Sequence, residues 1–462
     1  MKNKLFGFLC IAFFMQVVAS LIGGCAQISA PTGGSRDTTA PYLIKANPET
    51  NKLNFTVNKI ILNFSEYIQL QDLQSNLLVS PLQKNNPIIS SNLKTITIKL
   101  KDSLLPNTTY SFNFGNSIKD INEGNVLKEF SYTFSTGNSI DSLQIKGKVI
   151  MAENGKVDST LLVLLYRNAH DTAVGRRKPD YITRLNGAGE YTFYHLPEDN
   201  FKVYALKDGD GNKWYNSKTE TFAFNEESIN TAKINAPTTL YAYIEKKQII
   251  IPSTATKNEI DKKLRYTNNL IYSKQDLLQP LELIFNTALK NIKNDSIILY
   301  DTSYKPTLNS NVVIDSSRKK IIISAKWQPD MMFCLIIPKT ALEDSAGLKL
   351  LKNDTLRFTT KTLSEYGSLK LTFKNIELTK HPLLLFMDGD NIKWKYPLLS
   401  NEWTNKMILP GEYDIRLLYD ENNNGQWDPG DYSTKLQPER AVAFPQKLSI
   451  KADWENEREI VL

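Results

Sequence analysis

The chain has 462 residues, of which 41% are hydrophobic and 23% are charged, and these fractions are ordinary for globular protein. This length predicts several domains, because one domain usually takes about 100–200 residues. The net charge is +7 at pH 7, but acidic and basic residues are interspersed. The sequence therefore offers no basic stripe for nucleic acid, and no nucleic-acid partner is expected.

The N-terminus has the pattern of an export signal. Lys2 and Lys4 precede an apolar run from Leu5 to Ile22, and Gly23-Gly24-Cys25 follows. A basic start, an apolar stretch of this length and small residues at its end are typical of a secretory signal peptide, which we predict at residues 1–24. The alternatives are an ordinary signal peptide with a chance cysteine and an uncleaved membrane anchor.

The segment Ile22-Gly23-Gly24-Cys25 resembles the lipobox of bacterial lipoproteins. The resemblance implies cleavage before Cys25 and a diacylglycerol on its thiol, so that a membrane is a partner through a lipid anchor. Residues 25–40 contain Ser, Thr, Gly and Pro and are predicted to form a flexible tether. The expected location is the cell envelope, at the outer membrane, with the periplasmic and the outward face both open.

Short runs of alternating apolar residues recur along the rest of the chain, and turn residues separate them. Examples are Lys59–Phe64, Thr95–Leu100 and Thr109–Phe114. A period of two places every second side chain on the same face of a sheet. The predicted fold class is therefore all-β, with tandem β-sandwiches after the signal peptide.

Residues 41–137 contain the most specific pattern. Phe64-Ser65-Glu66 ends one predicted strand, Leu104–Tyr110 forms a corner that contains Pro106, and Phe134-Ser135-Thr136 closes the segment. This order resembles the Ig-like domain of bacterial surface proteins of the S-layer SbsA type. The resemblance implies an Ig-like β-sandwich.

A degenerate copy of this Ig-like domain is predicted at residues 280–362. Leu281–Asn286 matches Ile60–Ser65, while Trp327–Asp330 stands where the proline corner is expected. The copy lacks the Thr and Tyr of that corner.

Residues 143–243 and 366–462 share a different order of strands and turns. Leu196–Tyr204 of the first matches Leu409–Leu417 of the second. The order resembles the prealbumin-like β-sandwich of carboxypeptidase-regulatory and surface-protein modules. The resemblance implies two kinds of sandwich in alternation, which is by analogy a common plan of extended surface proteins.

The strongest candidate for ligand binding is a loop of twelve residues that begins at Asp420. Oxygen-bearing side chains on alternate residues, with a glycine at the sixth position, are the spacing of an EF-hand-type calcium loop. The alternative is a polar hairpin held by Asx-turns. The predicted ligands, with Gln426 acting through its backbone carbonyl, are Asp420, Asn422, Asn424, Gln426, Asp428 and Asp431.

A weaker version of this calcium loop begins at Asp208. Lys213 replaces the glycine at the sixth position, and Thr219 ends the loop with Glu220 one residue further on. The predicted ligands are Asp208, Asp210, Asn212 and Asn216. Calcium is the only cofactor that the sequence suggests.

No pattern in the sequence indicates catalysis. None of the histidines, His170, His195 and His381, has a second histidine or cysteine at the spacing of a zinc site. Nucleophile-elbow, phosphate-loop and dinucleotide-binding motifs are absent from the sequence. Cys334 lies in an apolar run and is expected to be a small buried residue.

These observations predict a non-enzymatic cell-envelope lipoprotein with a structural, adhesive or scaffolding role. One alternative is an accessory subunit of an envelope complex that binds a glycan or a protein, which an exposed row of aromatic residues would favour. The other is an envelope hydrolase, which a cleft with convergent carboxylates of shifted pKa would favour.

Overall fold

The computed structural model of the chain describes residues 36–233, 236–246, 263–307 and 310–462, together with Gly7 and residues 13–16. Apart from those five positions, the predicted signal peptide lies outside the described residues, as do Cys25 and the predicted tether up to residue 35. No helix in the described part of the chain is long and apolar enough to cross a membrane. The chain divides into two compact units, Met1–Ile140 and Asp141–Leu462.

The first unit contains module 1, residues 41–137, which folds into short strands around a single core. Its strands form sheets in the orders β1-β2-β6-β5, β10-β7-β4 and β3-β8-β9. The elements are β1 (Leu43–Asn47), β2 (Lys59–Phe64), β3 (Ile68–Leu70), α1 (Leu73–Asn76), β4 (Leu78–Ser80), β5 (Ile88–Asn92), β6 (Thr95–Lys99), β7 (Thr109–Asn113), β8 (Ile118–Asp120), β9 (Val126–Leu127) and β10 (Ser131–Ser135).

Alternation along these strands builds the core of module 1. In β2, Ile60, Leu62 and Phe64 are buried while the residues between them are not. They share one cluster with Phe112 of β7 and Phe134 of β10, so the sheets face each other across this cluster. Tyr110 closes the predicted corner Leu104–Tyr110, because its hydroxyl accepts the backbone N–H of Leu105 at 2.8 Å.

The second unit begins with module 2, residues 143–246. Its main sheet has the order β13-β12-β15-β16-β18-β11-β14, and β17 pairs with β15. The first and last strands, β11 and β18, run parallel to each other. The elements are β11 (Leu143–Met151), β12 (Leu162–Arg167), a 3-10 turn (Asp171–Gly175), β13 (Tyr181–Arg184), β14 (Glu190–Leu196), β15 (Asn200–Leu206), β16 (Thr221–Phe224), β17 (Ile229–Asn230) and β18 (Thr238–Ile244).

Module 3, described from residue 263 to 362, repeats the strand order of module 1. Its sheets are β19-β21-β25-β24, β20-β28-β26-β23 and β22-β27. The elements are β19 (Tyr266–Asn268), β20 (Lys274–Gln275), β21 (Leu281–Phe285), β22 (Leu289–Ile292), a 3-10 turn (Asn294–Ser296), β23 (Ile298–Tyr300), β24 (Asn311–Ile314), β25 (Lys320–Ser324), β26 (Met332–Ile337), β27 (Leu342–Asp344) and β28 (Asp354–Thr360).

The module-3 sandwich begins earlier than the sequence predicts. The strand β19 pairs with β21, and Leu264 packs in the module-3 core, so residues before Pro280 belong to this module. Where module 1 has its tyrosine corner, the indole N–H of Trp327 donates to the carbonyl of Gln279 at 3.0 Å.

Module 4, residues 366–462, repeats the topology of module 2. The strand β29 pairs with β32 and runs parallel to the last strand, β36. The other strands follow the order β31-β30-β33-β34, with β35 on β33. The elements are a 3-10 turn before the module (Leu363–Glu365), β29 (Gly367–Lys374), a 3-10 turn (Leu378–Lys380), β30 (Pro382–Asp388), β31 (Asn391–Pro397), β32 (Glu402–Ile408), β33 (Gly411–Tyr419), β34 (Ala441–Ala443), β35 (Leu448–Ile450) and β36 (Glu455–Val461).

The predicted fold class, all-β with tandem β-sandwiches, is confirmed for the described part of the chain. Each module has its own hydrophobic cluster. Burial of these clusters stabilises the fold by about 25 cal/mol for each Å² of apolar surface removed from water. The polar loops that follow β15 and β33 occupy corresponding places in modules 2 and 4.

Candidate functional site

The loop after β33 is held by its first residue. Asp420 is 0% exposed, and its carboxylate accepts the backbone N–H of Asn424 at 3.0 Å and of Gly425 at 2.7 Å. The Asx-turns of this loop are made by Asn422 and Asn424, whose side-chain oxygens accept the backbone N–H groups of Asn424 at 3.0 Å and of Gln426 at 2.7 Å. Gly425 adopts a φ of 76°, which few side-chain-bearing residues tolerate. Asp420 and Gly425 therefore hold this turn through contacts within the loop.

Two amides of this loop converge on Asp428. The side chains of Asn422 and Asn424 donate to its Oδ2 at 2.5 and 2.6 Å. The backbone N–H of Asp428 in turn donates to Glu439 at 3.0 Å. Burial, followed by the charges of Asp420 and Asp428, raises the pKa of Glu439. This end of the loop is rich in oxygen atoms and carries net negative charge.

Asp431 points to other partners. Its Oδ1 accepts the backbone N–H of Ser433 at 2.8 Å, and its Oδ2 lies 3.6 Å from the ammonium nitrogen of Lys218 in module 2. Among the described residues, Asp420, Asp428 and Asp431 do not form a set of carboxylates within 4.8 Å of one another. The structure therefore brings Asn422, Asn424 and Asp428 together, while Asp431 belongs to the contact with module 2.

The loop after β15 is organised in the same way by Asp208. Its carboxylate accepts the backbone N–H of Gly211 at 2.9 Å and of Lys213 at 3.1 Å. The side chains of Asn212 and Asn216 donate to Asp210 at 2.7 and 3.0 Å. The amide of Asn216, followed by the backbone of Asn212, lowers the pKa of Asp210, so this carboxyl is ionised at neutral pH.

Glu220 completes a three-carboxylate cluster in this loop. Its carboxylate accepts the backbone N–H groups of Asn216 and Ser217, each at 3.2 Å. One oxygen from each of Asp208, Asp210 and Glu220 lies within 4.8 Å of the others. Three carboxylates with neighbouring amide oxygens match the all-oxygen donor set that calcium takes. The twelve-residue count ended on Thr219 and so left Glu220 out of the predicted ligands.

A second carboxylate cluster lies in module 1 and was not predicted from the sequence. It consists of Glu66, Asp120 and Glu123, whose oxygens also lie within 4.8 Å of one another. Asp120 is 0% exposed and accepts the backbone N–H of Glu123 at 2.6 Å, of Gly124 at 2.9 Å and of Asn125 at 2.7 Å. Burial opposes ionisation of Asp120, but these backbone donors outweigh it and lower its pKa.

Comparison with module 3 indicates the structural role of the buried Asp120 carboxylate. At the position of Asp120 it has Asp344, which accepts the backbone N–H groups of Ala346 and Leu348 at 2.9 and 2.8 Å. At the position of Glu66 it has Thr287, whose hydroxyl donates to Asp344 at 2.8 Å. The aspartate therefore pins a loop in both modules. In module 1 the residue beside Asp120 is Glu66, a carboxylate where module 3 has a hydroxyl. Burial, followed by the nearby acidic charges, raises the pKa of Glu66.

Neither of the buried aspartates is placed to act as a catalytic group. Asp120 and Asp344 are fully buried and saturated by loop N–H donors, so neither can reach a substrate. Among the described residues, no histidine joins a cluster that could hold a metal ion. The Nδ1 atom of His195 lies 3.0 Å from the carbonyl of Asp141. Cys334 is buried at 6% exposure, which fits a small core residue.

Comparison with known proteins identifies one of the modules. Residues 37–136 match the model of the family described as "Bacterial Ig-like domain". This match coincides with module 1 and covers less than a quarter of the chain. Module 1 is therefore an Ig-like domain. No curated protein matches the chain.

Several solved structures are similar to this chain over long stretches. One is the Bacillus anthracis TIE protein, at 11% identity over 94% of this chain and 76% of that chain, with a TM-score of 0.17. Another is BcpA, the major pilin subunit of Bacillus cereus, at 11% identity over 69% and 99%, with a TM-score of 0.17. The S-layer protein rSbsC has 9% identity over 91% and 54%, with a TM-score of 0.16.

Proposed function

We propose that the protein is a non-enzymatic lipoprotein of the cell envelope with a structural or adhesive role. The observation that carries the proposal is the match of residues 37–136 to the bacterial Ig-like domain family. In the proposal, module 1 is of the S-layer SbsA type, module 3 is its degenerate copy, and modules 2 and 4 are prealbumin-like. A chain of sandwiches can present a surface or space another component from a membrane.

The anchor in this proposal is the lipidated thiol of Cys25, and the location is the outer membrane. The support is the Ile22-Gly23-Gly24-Cys25 segment behind a basic and apolar N-terminus. Each acyl chain adds about 0.8 kcal/mol for every buried CH₂, so two or three chains hold a protein firmly at a bilayer.

Calcium is the cofactor that the proposal includes. The residues that would hold it are Asp208, Asp210 and Glu220 in module 2, and Asn422, Asn424 and Asp428 in module 4. The module 2 loop has the denser charge, because three of its carboxylates lie within 4.8 Å of one another. A bound ion would offset their mutual repulsion and fix the loop.

A second candidate function is that of an accessory subunit that binds a protein or a glycan. The observation that favours it is a cleft of about 800 Å³ between modules 2 and 4. Acidic side chains line this cleft, among them Glu226, Glu421 and Glu439, and Tyr241 and Arg440 also face it. Such a surface suits a partner with basic groups.

Metabolic labelling with a tagged fatty acid tests the lipid anchor. Cells that express the full chain should label it, and Cys25→Ser should abolish the label and release the protein from the membrane fraction. Cys10→Ser is the matched control, because it changes a cysteine of the predicted signal peptide that the cleaved protein would lack. A labelled Cys25→Ser chain would contradict the proposal.

A further inference from the structure

The sheet of module 2 is apolar on both of its faces. Val203 and Ala205 of β15 and Ala223 of β16 belong to the sandwich core. Successive residues of a strand point to opposite faces, so Tyr204, Phe222 and Phe224 lie on the other face. These three rings are 1%, 0% and 2% exposed. Since the core is on the far side, other parts of the unit must cover them.

A turn from module 4 supplies much of this cover. The ring centroid of Tyr432 lies 5.1 Å from those of Phe222 and Phe224 and 5.9 Å from that of Tyr204, all in edge-to-face geometry. The Tyr432 hydroxyl donates to the carbonyl of Asp171 at 2.6 Å and lies 3.1 Å from the Tyr204 hydroxyl. Tyrosine at such a place contributes both apolar area and a satisfied polar end.

Charged groups surround this tyrosine. The ammonium nitrogen of Lys435 lies 3.7 Å from the Tyr432 ring centroid and 3.2 Å from the Asp171 carboxylate. Glu245 accepts the backbone N–H of Tyr432 at 3.2 Å, and Lys218 lies 2.6 Å from the same carboxylate. Partly desolvated contacts of this kind add specificity as well as affinity.

The backbone of the turn fits closely against module 2. A Cβ atom built on Gly430 would lie 2.7 Å from Cζ of Tyr243, so only glycine allows this approach. Beyond the turn, Gln437 donates to the carbonyl of Phe224 at 3.2 Å. The backbone N–H of Ala441 donates to the carbonyl of Ala152 at 2.7 Å.

We propose that module 2 contains a binding site for the tyrosine-bearing turn Gly430–Gln437, and that modules 2 and 4 bind each other through it without help from the chain between them. The site takes an aromatic ring with a hydroxyl and a neighbouring cation. Module 3 then lies in a loop whose two ends are held together by this contact. A mechanical force applied to the two ends of the second unit therefore acts on the contact between modules 2 and 4 before it acts on module 3.

Cleavage of the full chain tests this site. A protease recognition sequence is inserted between residues 246 and 263, and the cut protein is analysed by size-exclusion chromatography over a range of concentrations. The wild-type fragments should elute together, because the turn remains in its site. Tyr432→Ala should weaken their association by roughly thirtyfold, which is the usual cost of truncating a tyrosine at the centre of an interface.

Two further variants distinguish loss of the contact from loss of folding. Lys435→Glu changes an exposed side chain, so it should leave both fragments folded while it weakens their association. Tyr194→Ala removes an exposed tyrosine elsewhere on module 2 and should leave association unchanged. Far-UV circular dichroism of each fragment verifies that it is folded. Wild-type fragments that separate on cutting would overturn the proposal, as would Tyr432→Ala and Lys435→Glu fragments that associate as tightly as the wild type.

Discussion

Replacing Glu66 by threonine should stabilise module 1. The substitution copies module 3, where Thr287 donates a hydrogen bond to the buried Asp344 at 2.8 Å. In module 1 the same place brings the Glu66 carboxylate within 4.8 Å of the buried Asp120. The variant therefore exchanges a contact between like charges for a charge-assisted hydrogen bond.

The size of this gain follows from the hydrogen bond that module 3 makes. A hydrogen bond to a charged group contributes about 1.5–3 kcal/mol, and the partial exposure of Glu66 places the expected gain near the lower end. For a domain of this size, 1 kcal/mol shifts the melting temperature by roughly 4–8 °C. We therefore expect an increase of several degrees at neutral pH.

The gain should depend on pH. Because the pKa of Glu66 is raised in the folded state, its contribution to stability is complete below the pKa of an unfolded glutamate, about 4.3, and is lost as pH rises through the folded pKa. The advantage of Glu66→Thr should thus be largest at neutral pH and shrink towards about pH 4.5.

Differential scanning calorimetry of the full chain measures this effect on the transition of the first unit. The reciprocal change Thr287→Glu should destabilise the second unit, and Glu49→Thr, an exposed position of module 1, is the control. A Glu66→Thr transition at or below that of the wild type at neutral pH would refute the reasoning, as would a gain that does not change with pH.

The other predictions concern the buried aspartate and the calcium loops. Asp344→Ala should destabilise the second unit by about 3 kcal/mol in denaturant unfolding, since it leaves the buried donors of the loop without an acceptor; an unchanged unfolding midpoint would contradict this role. At the module 2 loop, calcium at a hundredfold excess over a Kd of about 10⁻⁴–10⁻³ M should stabilise the fold by about 2.7 kcal/mol, and Asp210→Asn should remove most of this contribution. Equal melting of the wild type in calcium and in chelator would exclude the calcium sites. Asp420→Ala should destabilise module 4 even in chelator, because Asp420 holds its turn directly.

Local patterns predicted the strands well. The run Lys59–Phe64 is a strand with those bounds, and the runs from Thr95 and Thr109 end within one residue of the predicted positions. Strand periodicity is set by backbone geometry, so one sequence suffices to read it. The start of module 3 was missed because β19 and β20 are only three and two residues long, too short for a periodic pattern.

The functional geometry was harder to predict, because it depends on contacts between distant residues. The glycine and aspartate spacing after Asp420 indicated the turn, but Asp431 is drawn to Lys218 of module 2. No local pattern indicates that module 4, and not the sandwich core, covers the face of the module 2 sheet that bears Phe222. The Glu66 cluster joins two loops that no spacing rule connects.

Fractionation of cells that express the wild-type chain tests the central claim most directly, and a parallel sample of intact cells is treated with protease. The proposal predicts a chain cleaved before Cys25 that sediments with the outer membrane and is released by detergent but not by high salt. Digestion of intact cells then reveals whether the modules face outward. A chain that keeps its first 24 residues and stays in the soluble fraction would contradict the assignment as an envelope lipoprotein.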